Sequence, residues 1–167
     1  MWGSGILLYT DNMNIIVSIV VFYSLVLWIG FVFAKLEIMI EGEHGWAEKL
    51  PAWRLPKGHI LSRLFSGGRE LTGYHVWVHM FVFSMLHLVY IFDLPTLSTE
   101  LTLIAFLFYI WVVEDFLWFV LNPAYGVRKF KKQHIAWHPN WWGFAPIDYF
   151  VFLPLATVLY WWAHVLG

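Results

Sequence analysis

Four stretches of this chain, near residues 14–40, 72–92, 99–121 and 146–166, are each long and apolar enough to cross the ~30 Å hydrocarbon layer of a membrane as a helix. A chain in lipid must satisfy its backbone polar groups internally, which leaves helices and closed barrels as the available spans. Hydrophobic residues make up 60% of the 167 positions and aromatic residues 21%, so spans and connectors use up nearly the whole sequence. The expectation is an all-α integral membrane protein, a single domain over 1–167 built as a four-transmembrane-helix bundle. The opening MWGSGILLYTDNMN has no basic n-region and no A-x-A-like cleavage site, so the first span is expected to remain in the mature protein.

The connectors set the expected direction of the spans. Asp93 to Ser98 is short, with Pro95 to stop one helix and Ser98 suited to cap the next, which makes spans two and three antiparallel neighbours. The other two connectors, about 41–71 and 122–145, hold Lys49, Arg54, Lys57, Arg63, Arg69, Arg128, Lys129, Lys131 and Lys132, and Lys35 lies near the same end of span one. By the positive-inside rule both connectors are cytoplasmic and both termini lie outside. Segment 45–65 mixes Trp46, Leu50, Trp53, Leu55, Ile60, Leu61, Leu64 and Phe65 with charges and is broken by Pro51 and Pro56. It is expected to form a helical connector in the cytoplasmic interface. The run Arg128-Lys129-x-Lys131-Lys132 serves as a topology anchor and is suited to an anionic lipid head group. Basic residues distributed in this way imply a membrane partner and no nucleic acid. A bacterial or archaeal plasma membrane is the expected location.

Polar residues that lipid penalises fall at the cytoplasmic ends of these spans: Glu37, Glu41, His44, His75, His79, Glu114, His134 and His138. Glu37, Glu41 and His44 are spaced to share one helical stripe, and Glu41-x-x-His44 has the Glu-x-x-His spacing of di-iron carboxylate bundles. His75 and His79 have the i, i+4 spacing that lets two imidazoles reach one ion, and His134 and His138 repeat it. Glu114 and Asp115 lie within an apolar run, where adjacent acids should not both ionise without a cation. Of the two, Glu114, flanked by Trp111 and Trp118, is expected to face the bundle axis; Asp115 is expected to be a further ligand or to orient a histidine. Asp148, His59 and Glu43 are weaker additions. With no cysteine in the chain, any metal is held by oxygen and imidazole, which excludes thiolate zinc sites and iron–sulfur clusters.

The two His-x-x-x-His pairs, His75/His79 and His134/His138, resemble those of membrane di-metal oxidases of the fatty-acid hydroxylase and desaturase type. The resemblance covers these motifs only; the His-x-x-His-His boxes of those families are missing and the acidic share is larger. It implies two metals at the cytosolic ends of the helices. The number of carboxylates and histidines likewise exceeds what one tetrahedral ion needs and suits two divalent ions, iron or manganese before zinc. All eight residues are candidate ligands, and Glu114 and Asp115 the candidate catalytic residues. The leading expectation is a metal-dependent membrane enzyme that oxidises or hydrolyses a membrane lipid or other lipophilic substrate. An oxidase would also need an electron-donor protein, since the chain has no nucleotide-binding glycine motif. The alternatives are a metal-ion transporter or sensor, a metal-stabilised structural subunit, and haem ligation by His87 and His164.

Overall fold

A computed structural model describes residues 3–166, with side chains from Ile15 to Leu166; residues 1, 2 and 167 of the expected domain, and with them both termini, lie outside the described residues. The chain is mostly helical. Its long helices are α1 (Gly3–Glu41), α3 (Gly73–Leu86, continued as a 3-10 helix through His87–Ile91), α4 (Leu97–Leu121) and α5 (Ile147–Leu166). A short helix, α2 (Ile60–Phe65), lies between α1 and α3. Four segments, Ile15–Glu41, Gly73–Ile91, Leu97–Leu121 and Ile147–Leu166, are long and apolar enough to cross a membrane.

The helix ends follow local chemistry. At 39 residues α1 would run about 58 Å at 1.5 Å per residue, well beyond the hydrocarbon layer. It stops where Gly42 takes a φ of +66°, a left-handed conformation that favours glycine. Thr72 caps α3 by accepting from the His75 amide, and Thr96 caps α4 by accepting from Thr99. Ser98, expected as that cap, instead donates to the Ala163 carbonyl at 2.9 Å and ties the start of α4 to the end of α5. The fold also contains two short antiparallel ladders: β1 (Arg54–Leu55) with β2 (Leu71–Thr72), and β3 (Trp141–Trp142) with β4 (Ala145–Pro146). Segment 45–65 is therefore only partly helical, and α2 presents Ile60, Leu61, Leu64 and Phe65 outward.

The four long helices do not share the core equally. α4 is central and packs along its length against α1 and α5, whereas α3 stands further out and meets the others chiefly through side chains. Ala105 and Ala156 are fully buried and let the helices come close, while Phe22 stacks on Tyr160 with ring centres 4.0 Å apart. Nearer the connectors, Ala34, Trp118, Phe119 and Ile135 form a second core with Trp137 against them. That core encloses the end of α1 and the last turns of α4, where the acidic residues lie.

Candidate functional site

Helical periodicity puts Glu37 and Glu41 on the face of α1 that meets Glu114 of α4, and all three are buried. Glu37 and Glu114 interact across the interface, and Glu41 and Asp115 lie close enough to act on both electrostatically. Tyr74, in the first turn of α3, donates to Glu37 Oε1 at 3.2 Å. Glu41 Oε1 accepts from the Ala47 amide just after the helix end. Glu114 Oε1 is buried without a hydrogen-bond partner, as are the indole nitrogens of Trp111 and Trp118 on the same side of α4. A buried polar atom left unpaired costs about 1–3 kcal/mol, and here the carboxylate oxygen and the two indole nitrogens share one face of α4.

The two histidines of α3 follow Tyr74 on the same helix and rest on aromatic rings. His75 Nδ1 lies 2.6 Å from Thr72 Oγ1, and its ring stacks on Trp46 at 4.1 Å between centres. His79 donates from Nδ1 to the His75 carbonyl, so in the neutral ring Nε2 carries the lone pair; the ring rests against Trp111 at 4.8 Å. Anchoring one imidazole nitrogen and leaving the other as an electron donor is the arrangement of a metal-ligating histidine. It is not by itself diagnostic, because His87 and His164 bond the Phe83 and Tyr160 carbonyls in the same way far from the cluster. Among the described residues no three His, Asp or Glu side chains converge as a ready-made ligand set.

His138, 4% exposed, belongs to a second network on the α5 side of α4. Its Nε2 is 3.1 Å from Asp115 Oδ1, and its Nδ1 is 3.7 Å from Asp148 Oδ2. Tyr149 donates to the other Asp115 oxygen, and Arg69 binds Asp148 at 2.9 Å. Burial lowers the His138 proton affinity, but Asp115 and Asp148 together outweigh it and the remote Arg69, and hold His138 above the ordinary histidine range.

The remaining pair lies apart from both networks. Because α1 ends at Glu41, His44 leaves the stripe of Glu37 and Glu41 and turns to Glu43 and Glu48, at 3.5 and 3.7 Å. His134 is exposed on a 3-10 turn, so the His134–His138 spacing does not fall on an α-helical face. His44 and His134 instead border one surface pocket of about 280 Å³ with Glu43, Tyr125 and Lys129. His59 caps α2. Of the haem candidates, His87 pairs with Glu100 at 3.4 Å.

Sequence reasoning passed over Thr72, Tyr74, Tyr149 and Arg69. Thr72 carried a signal, since a threonine three residues before His75 at a helix start is a cap that also reaches the ring. Arg69 carried none, being one of several connector cations. No protein-family model, curated protein or solved structure matches this chain.

Proposed function

We propose that this is an integral membrane metalloprotein in which Glu37, Glu41 and Glu114, with His75 and His79, hold divalent metal at the cytoplasmic ends of the helices, and that it is an enzyme acting on a lipophilic substrate. The observation that carries this reading is the burial of three glutamates from two helices, of which Glu114 has an oxygen without a hydrogen-bond partner. Carboxylates grouped in an apolar setting need protons or a cation, and the oxygen-rich donor set favours iron or manganese over zinc. His75 and His79, whose Nδ1 atoms are bonded to Thr72 and to the His75 carbonyl, would offer Nε2 to complete the set. Iron or manganese would supply redox chemistry with an electron-donor protein, whereas zinc would supply a polarised water for hydrolysis. Asp115, held by His138 and Tyr149, is placed to hold or pass a proton beside Glu114. The positive-inside distribution supports a cytoplasmic site with both termini outside, in a bacterial or archaeal plasma membrane.

Elemental mass spectrometry on protein purified without a metal-affinity tag tests this directly. The expected content is about two iron or manganese ions per chain, by analogy with carboxylate bundles, lost on Glu114→Gln and reduced by His75→Ala. Protein that is folded, monodisperse and free of metal in the wild type would overturn the metal assignment. About one zinc per chain would instead point to hydrolysis, because a single tetrahedral ion needs fewer donors.

A further inference from the structure

An open apolar groove of about 460 Å³ runs between the end of α1, the loop after Lys49 and the first turns of α3. Its walls include Ile40, Pro51, Ala52, Trp53 and Trp77. The groove is built on Gly73: a Cβ there would lie 2.6 Å from Trp53 Nε1, so only glycine lets that indole lie across the start of α3. Ile40 and Trp77 belong to two of the apolar spans and are both exposed, which makes the groove continuous with surfaces that face lipid. At its inner side stands Tyr74, whose ring lines the groove and whose hydroxyl donates to Glu37 of the buried cluster. It is thus an apolar space connected to the acidic cluster through one side chain, and its size is that of small-molecule sites, about 300–1,000 Å³.

The charges that flank the wall segment 50–53 in sequence say what fits. Lys49 directly precedes the wall residue Leu50, and Lys57 closes the same loop beyond the first ladder; both are exposed and neither makes an ion pair among the described residues. Arg54 between them is committed to Glu70 and the Ala47 carbonyl, and Glu48 turns away to His44. Two uncommitted cations on either side of the wall segment in sequence complement an amphiphile with an anionic head and a hydrocarbon tail. We infer that the groove seats one acyl chain of an anionic phospholipid, with its head group on Lys49 and Lys57, and presents that lipid to the buried cluster at Tyr74. Its role as substrate seat rests on the reading of the cluster as a reaction site; the seat itself does not.

Photocrosslinking separates the two. The full chain is reconstituted in phosphatidylcholine vesicles containing a trace of phosphatidylglycerol that bears a diazirine on one acyl chain, and adducts are mapped by mass spectrometry. Adducts should concentrate on peptides 50–53 and 73–77, several-fold above the equally exposed Trp28 and Phe81. They should fall several-fold in Ala52→Trp, which fills the groove, and in a Lys49→Gln/Lys57→Gln variant, which changes only exposed side chains and guards against misfolding of the first. An even spread over all exposed apolar residues, or equal labelling by a phosphatidylcholine probe, would overturn the seat. Metal counted in the same samples keeps the outcomes distinct: groove adducts on metal-free protein retain the seat and end the metal reading, and metal-loaded protein with an even spread does the reverse.

Discussion

His138 is where two opposing effects meet on one side chain. Burial works against its positive charge, yet Asp115 at 3.1 Å from Nε2 and Asp148 at 3.7 Å from Nδ1 prevail over burial and Arg69, and raise its proton affinity above the ordinary value of 6.5. A histidine raised on folding contributes stability that is fully present below its unfolded value and is lost as the pH rises through its folded value. His138→Gln should therefore destabilise the protein in detergent by about 1.5–3 kcal/mol at pH 6, the range for hydrogen bonds to charged groups. The difference from wild type should shrink steadily as the pH is raised above 6.5, as read by chemical unfolding at each pH. A difference that is constant across that range would mean that His138 is held neutral. This network was only half legible in the sequence. The acid at 115 declared itself by sitting in an apolar run, but its partner came from a loop whose path no periodicity describes.

Among the elements, α1 and α4 set the distance between the glutamates, and one glycine sets how close they come. A Cβ on Gly30 would stand 2.7 Å from Val113 Cγ1, one residue before Glu114. Gly30→Ala should push the helices apart at that level and cost about 1–3 kcal/mol, the usual range for overpacking. Val113→Ala should relieve much of that cost, so the double variant should be more stable than the two single losses predict when measured as a double-mutant cycle. Additive losses would mean that the helices adjust without strain. The same elements show what hydropathy can and cannot convey. Their apolar spans were legible to within a few residues, because length and apolar content decide them, although the helix α1 itself begins at Gly3, well before the expected 14. Their arrangement was not: α1 has the higher mean hydropathy, 2.7 against 2.0, yet α4 is half buried and only 11% of the α1 segment is. Lipid and protein interior are both apolar, so hydropathy does not distinguish a helix facing one from a helix facing the other. His44 was misplaced for a different reason, the left-handed turn at Gly42 that ends α1.

For the molecule as a whole, the polar groups are distributed unevenly along the helices. Both glutamate and histidine networks, the two ladders, α2 and all the connector cations gather at one end of the four long helices, while the other end holds the 93–96 turn and the His87–Glu100 pair. Between them, among the described residues, the side-chain contacts from helix to helix are made by hydroxyls: Tyr23 to Tyr109 at 3.1 Å and Tyr109 to Thr157 at 2.7 Å. No series of ionisable side chains connects the two ends among the described residues. If the positive-inside rule governs insertion, the cluster end faces the cytoplasm. The chain contains no cysteine, so single cysteines report topology without background. Leu94→Cys lies in the short turn and is 79% exposed in the wild type, and Gln133→Cys lies on the exposed 3-10 turn at the opposite end. In intact cells a membrane-impermeant maleimide should label Leu94→Cys at once and Gln133→Cys only after the membrane is opened. The reverse order would put the buried carboxylates on the outer side, where neither a cytosolic electron donor nor a cytosolic metal supply could reach them, and would turn the proposed chemistry toward hydrolysis.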